Sequence, residues 1–209
     1  MPEEKFNLQK VQTYFEQCAS EDDDVLIDPY LEAFRELNKF LSMMGTVFGF
    51  ICNEIKEKIR ILESLRQDQM HGVQFETVRK MMDYETNNGL VNKKGYVSGC
   101  RTMQRLHRGL NFIYVFLNQL SGLEDANAKT SDICQQSYND TLAEFHPWVI
   151  RKGAIMAMYS LPSRNEFLEK MCGDVNATLK LLPEMLHVGR GIYDRTHNLY
   201  TEYKLHGLP

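Results

Sequence analysis

Three arginines, a lysine, a glutamate and a histidine carry the chemistry open to this chain. Arg101, Arg105 and Arg108 stand at i, i+4 and i+7, a spacing that lines one face of a helix turning about 100° per residue. The next residues on that face are Phe112, Val115 and Phe116. A face that meets only water rarely passes from three arginines to two phenylalanines and a valine. A face that meets an amphiphile does, with a polar head on the guanidinium groups and an apolar tail on the rings. Arginine offers planar, paired donors that match phosphate oxygens.

Glu54 and Lys58 form a second pattern, an i, i+4 pair. Such pairs are usually surface ion pairs of about 0.2–0.5 kcal/mol. Here Val47, Ile51, Ile61 and Leu65 lie on or beside the same stripe, so the pair reads as embedded in an apolar arc. Charges held there need partners. A phosphate bound by Lys58 and the arginines would be one, with Glu54 accepting from a ligand N–H or O–H. Clustered cations repel, and a dianionic ligand relieves that repulsion.

The third feature is His146-Pro147-Trp148. His146 falls where one helix ends and the next begins. The plain reading is a core or capping histidine; the sharper one is a donor to a carbonyl. Trp148 is the only Trp. Core packing is the plainer expectation for it, and a membrane interface the alternative.

These residues need helices to position them. Leu8, Val11, Tyr14, Phe15 and Cys18 recur at helical spacing. The acidic run Glu21–Asp24 has no EF-hand spacing and reads as a solvated turn. Asp28-Pro29 reads as a cap and first helical residue. A long periodic segment follows to about Arg66, including Phe48 and Ile51, with Gly45 and Gly49 as its points of bending or breakage. Shorter helices are expected over 74–86, from Gly99 to about Leu120 behind a Ser98 cap, from Asp132, and over 148–159. Ser163 and Glu166 form a capping-box pattern. The last helices are expected over 175–182 and 183–204. No segment alternates like a half-buried strand, and one all-α domain over residues 1–209 is predicted.

The composition agrees. Twenty-four Lys and Arg against 28 Asp and Glu leave a net charge of −4, a poor balance for coating nucleic acid. The 43% apolar content is that of an ordinary globular protein. No apolar run approaches the roughly 18 residues of a membrane span. No basic and apolar leader opens the chain, so a cytosolic protein is expected. The five cysteines include no CxxC, so reduced, mostly buried thiols are expected, with no metal site.

Longer motifs add a resemblance. They run from Phe6-Asn7-Leu8, Leu26-Ile27-Asp28-Pro29-Tyr30 and Gly45-Thr46-Val47-Phe48 through Lys58-Ile59-Arg60-Ile61-Leu62-Glu63 to Gly99-Cys100-Arg101-Thr102 and Arg105-Leu106-His107-Arg108. They continue with Phe145-His146-Pro147-Trp148-Val149-Ile150-Arg151, Leu161-Pro162-Ser163-Arg164 and Leu208-Pro209. In this order they resemble the glycolipid transfer protein family over nearly the whole chain. The resemblance implies a two-layer helical sandwich holding one sphingolipid, its headgroup in a surface site and its chains in an apolar pocket.

It also implies roles. Glu54 stands where the family has an acidic residue that accepts from the sphingoid amide. Lys58, Arg101 and Arg105 stand where the phosphate-selective branch has its cations, His146 where a histidine bonds the acyl carbonyl, and Arg108 at a nearby arginine. Two positions depart from the family: Glu54 replaces the usual Asp, and Phe112 the usual stacking Trp. Phe112 and Lys58, which replaces an Asn of the glycolipid-binding branch, both favour a compact phosphate over a sugar. The expectation is therefore a non-enzymatic, monomeric carrier of ceramide 1-phosphate. It would need no cofactor or metal and would touch Golgi, plasma or other intracellular membranes only transiently. The rivals are a lipid sensor or adaptor, a sugar-headgroup carrier, and a hydrolase using His146 and Glu54. No GxSxG or metal-ligand pattern accompanies the last.

Overall fold

The computed structural model describes residues 6–45 and 48–209. Val47 of the Glu54–Lys58 stripe, Thr46 and the N-terminal Met1-Pro2-Glu3-Glu4-Lys5 lie outside the described residues. Nine α-helices are described: α1 (Leu8–Cys18), α2 (Ile27–Ser42), α3 (Gly49–Arg66), α4 (Val78–Asn87), α5 (Gly99–Ser121), α6 (Thr130–Thr141), α7 (Trp148–Met158), α8 (Arg164–Cys172) and α9 (Val175–Glu202). Among the described residues, β-structure is limited to three isolated bridges.

Local chemistry sets most helix starts. The side chains of Asn7, Thr77, Ser98 and Asp174 accept from the backbone N–H three residues on, at 2.8–3.2 Å. Each such cap contributes about 1 kcal/mol. Glu166 completes the capping box by accepting from the Ser163 N–H at 3.0 Å. The long segment to Arg66 breaks as anticipated: α2 ends at Ser42, and Gly45 has φ +111°, a conformation open to glycine and strained for other residues.

Three expectations are corrected. Asp28 does not cap α2, whose N-cap is Leu26. The Ile27 N–H instead donates to Glu76 O at 3.0 Å, and Asp28 accepts from Arg66 at 3.2 Å. Asp24 is not solvated. It is buried, and its carboxylate accepts from the Val25 and Arg79 N–H groups at 2.7 and 3.0 Å. Pro183 does not divide the last helix, and α9 runs unbroken from Val175 to Glu202. An interior proline costs about 3 kcal/mol. Burial of neighbouring Leu182, Met185 and Leu186, at about 1.5–3 kcal/mol each, offsets it.

The long helix α5 is the hub. It packs against α3, α4, α6 and α9, while α1 joins α9 to α2 and α2 joins α3. The core fills the space between, with Phe15, Tyr30, Phe34, Met103 and Tyr200 almost fully enclosed. Gly99 lies so tightly at the start of α5 that a Cβ there would sit 2.7 Å from Met81 Sδ and 3.2 Å from Leu65 Cδ1. The five cysteines are free; Cys18, Cys52, Cys100 and Cys134 are buried and Cys172 is half-buried.

Candidate functional site

Two helices and one inter-helix corner converge to make the site. At one end α3 meets α5 through Leu65 and Gly99. At the other, the Arg108 guanidinium lies 3.7 Å over the ring of Phe145. The residue after Phe145 is His146, and the Glu54 carboxylate is near enough to act on its imidazole. Leu65 thus lies against Gly99, and the Glu54 charge acts on His146, next in sequence to Phe145. Lys58 lies on α3 between Glu54 and Leu65, and Arg105 on α5 between Gly99 and Arg108.

Within this frame the charges divide. Lys58 Nζ donates to Glu54 Oε2 at 3.0 Å; the Lys58 side chain is only 12% exposed, whereas Glu54 is 70% exposed. The expected burial of the whole pair is thus corrected. The lysine is largely covered, as long cationic side chains commonly are along their stems, and Glu54 projects to solvent. Ile51 is half-buried beside them, and Phe48 is buried at the start of α3.

The arginines are held by backbone oxygens. Arg101 donates to Tyr96 O at 2.8 Å. Arg105, which is exposed, donates to the Pro209 oxygen at 3.3 Å. Arg108 donates to His206 O and Leu208 O at 2.9 and 2.8 Å. Burial holds the Arg108 pKa below its ordinary value, and the Arg105 charge adds to the effect.

His146 sits at the corner before α7. Its Nδ1 lies 2.8 Å from the Tyr138 hydroxyl, and its carbonyl accepts from Arg151 at 2.7 Å. Burial lowers the imidazole pKa, Arg151 lowers it further, and Glu54 opposes them. The imidazole is therefore neutral at pH 7 and can donate through one nitrogen while accepting through the other. Below it, Phe112 meets Tyr138 edge-on at 6.3 Å and stacks on Phe116 at 6.0 Å. Phe116 is buried, while Phe112 and Val115 are partly so. Cations and rings thus occupy one continuous face.

A match to the family model described as glycolipid transfer protein covers residues 25–173. The chain belongs to the glycolipid transfer protein family. It is 37% identical to the ceramide-1-phosphate transfer protein of Xenopus tropicalis, over 99% of this chain and 98% of that protein. The crystal structure of the mouse ceramide-1-phosphate transfer protein in its apo form superposes with a TM-score of 0.92 at 36% identity, covering 98% of this chain and 100% of that one. The human protein in complex with 2:0 ceramide-1-phosphate superposes at 0.90 with 37% identity, covering 99% and 100%. The two-layer, all-α architecture of this family is therefore the fold of the chain.

Several residues around this family's site escape periodicity. Tyr138 carries no signal that would link it to His146. Glu85 does: it falls four residues after Met81 on an otherwise apolar stripe, and it is completely buried. Its carboxylate accepts from Gly99 N at 2.6 Å, Cys100 N at 3.1 Å and Tyr96 OH at 3.0 Å. It thereby fixes both the start of α5 and the loop whose carbonyl holds Arg101. Trp148 corrects the core-packing expectation, being 70% exposed.

Proposed function

We propose that this protein, as a single domain over residues 1–209, is a non-enzymatic carrier of ceramide 1-phosphate between membranes. The observation that carries this reading is the continuous face just described. In this reading Lys58 of α3 and Arg101 and Arg105 of α5, two helices that pack together, serve one headgroup, and His146 and Phe112 lead from them toward buried rings. The cations take the phosphate through charge-assisted contacts. Glu54 accepts from the lipid amide or hydroxyl, and His146 donates to the acyl carbonyl. Phe48, Ile51, Val115 and Phe116 belong to the apolar side that receives the chains. Removing the chains from water supplies the driving force, at about 0.8 kcal/mol per buried methylene.

The relatives named for ceramide-1-phosphate transfer, and the human structure holding that lipid, support the same headgroup for this chain. Helix α7 supports a transient membrane contact. Trp148, Val149 and Met156 are exposed on it and Tyr159 just after it, with Lys152 Nζ 5.7 Å from the Trp148 ring. Apolar and aromatic side chains with nearby cations suit the headgroup boundary of a bilayer. Among the described residues no helix is long and apolar enough to cross one.

The test is transfer between two vesicle populations, comparing ceramide 1-phosphate with galactosylceramide. The wild type should move the phosphate lipid selectively. Lys58→Ala and Arg105→Ala should each lose about ten- to a hundredfold, as expected for deleting one charged hydrogen-bonding partner at about 1.5–3 kcal/mol. Equal movement of both lipids, or full activity in both variants, refutes the headgroup assignment. Binding without transfer makes the protein a sensor.

A further inference from the structure

A series of ring contacts crosses the protein from the headgroup site. His146 meets Tyr138 at 5.7 Å between centroids, Tyr138 meets Phe112 at 6.3 Å, and Phe112 meets Phe116 at 6.0 Å. Phe116 then meets Phe167 at 5.3 Å, Phe167 meets Phe40 at 5.1 Å, and Phe40 meets Phe6 at 5.0 Å. Four helices, the Phe6 segment and the His146 corner supply these rings. They link parts of the chain that are remote in sequence.

Phe6, the last ring, also lines a surface cleft of about 1170 Å³. Its apolar lining is Phe6, Leu8, Met43, Ile59, Met171 and Leu181. Its rim carries Arg35, which donates to Glu32 and Glu63, Lys39, which donates to Glu36, and also Lys56, Glu169 and Lys170. An apolar occupant lies along the apolar lining and leaves these charges in water.

We infer that this cleft receives the methyl end of a long N-acyl chain. The inference rests on the carrier reading above. Phe116, Phe167, Phe40 and Phe6 are all buried, so a chain that follows them must separate close-packed side chains, and each further carbon in the interior costs additional repacking. The cleft at the end of the series is space of the size that holds ligands, and it needs no such opening. A chain that outruns the ring series leaves the interior past Phe6 and lies along Leu8, Met171 and Leu181. Long chains are then accommodated without a larger interior. Each methylene fully withdrawn from water there tightens binding by up to about fourfold, the equivalent of about 0.8 kcal/mol.

The cleft contains its own handle. Cys172 lines it and is half-buried, whereas Cys18, Cys52, Cys100 and Cys134 are buried. A bulky maleimide on Cys172 fills the cleft without altering the ring series. The measurement is vesicle-to-vesicle transfer of ceramide 1-phosphate with a twelve-carbon and with a twenty-four-carbon N-acyl chain, before and after labelling. Cys172→Ala treated with the same reagent is the control. Ser42→Trp, a substitution at an exposed position on the rim, is a second, independent block.

Labelling should slow the long-chain lipid by at least about tenfold, the loss of two or more buried methylenes, and leave the short-chain lipid within about twofold. Cys172→Ala should be insensitive, and Ser42→Trp should reproduce the selective loss. The assignment is overturned if both blocks leave the long chain unaffected or slow the two lipids equally. The carrier reading fails separately: in that case the unlabelled protein moves neither lipid, and the cleft assignment falls with it.

Discussion

The Tyr138 hydroxyl and His146 Nδ1 lie 2.8 Å apart. This contact joins α6 to the corner before α7 and selects how the imidazole is used. With the proton on Nε2, Nδ1 takes the Tyr138 O–H and Nε2–H is the donor to a ligand carbonyl. In the proposed carrier Tyr138 is thus a positioning residue, acting on the lipid through His146. Its ring also meets Phe112 edge-on, so one side chain orients the polar contact and supports the start of the apolar path.

Tyr138→Phe keeps the ring and deletes the hydrogen bond. Folding stability should fall by about 1 kcal/mol, the net contribution of one such bond. Affinity for ceramide 1-phosphate should fall by about five- to tenfold, the equivalent of about 1–1.4 kcal/mol. Urea unfolding and lipid binding check the two separately. An unchanged affinity would remove Tyr138 from the site.

Glu85→Gln should be more damaging. The carboxylate receives two backbone N–H groups of α5, the Ser98 hydroxyl and the Tyr96 hydroxyl. The amide replaces one acceptor oxygen with a donor that faces a backbone N–H, of Gly99 or of Cys100. A loss of about 2–3 kcal/mol is expected from the unsatisfied buried groups. Hydrogen exchange should show the first turn of α5 and the loop before it opening more readily than α9.

Acid should destabilise the protein through its histidines. His107 is buried between Tyr193 and Tyr200, and neither ring nitrogen has a protein partner. Burial, reinforced by the nearby His197, His206, Arg108 and Arg190, lowers its pKa from 6.5 to about 3. The His146 and His206 values are lowered too, again chiefly by burial. A folded pKa below the unfolded one means that the unfolded chain binds more protons between them. Stability is therefore fully present above about pH 6.5 and falls as pH drops toward the folded values, by up to about 1.4 kcal/mol per pH unit for each group. Denaturant midpoints from pH 7 to pH 4 should show the decline, and His107→Phe should flatten it. A wild-type profile that is level over that range contradicts this account.

Trp148 reports on membrane contact without any added probe. It is the only Trp and largely exposed, so anionic vesicles should shift its emission to the blue. Trp148→Ala combined with Met156→Ala should weaken vesicle association by about ten- to a hundredfold, since the two side chains would otherwise bury at about 1.5–3 kcal/mol each if fully immersed. Affinity for a short-chain ceramide 1-phosphate in solution should not change, because the α7 side chain that reaches the headgroup residues, Arg151 on the His146 carbonyl, is left in place. No emission shift on adding vesicles would place the membrane contact elsewhere.

Residue spacing alone determined what is local in this protein. The Gly45 break, the Ser98 cap, the Ser163–Glu166 capping box and the Arg101–Arg105–Arg108 face all depend on residues within two turns of one another, and helical periodicity expresses such relationships directly. The longer motifs also carried the family, which explains why the fold could be read before any coordinates. Tertiary structure decided what depends on elements far apart in the chain. It held Arg108 with carbonyls nearly a hundred residues away, set Tyr138 against His146 and left Glu54 in solvent while covering Lys58. Asp24, Pro183 and Trp148 were misread for the same reason. Whether a carboxylate finds backbone donors, a proline is tolerated or an indole is covered depends on what packs against it, and no pattern along a single helix contains that neighbour.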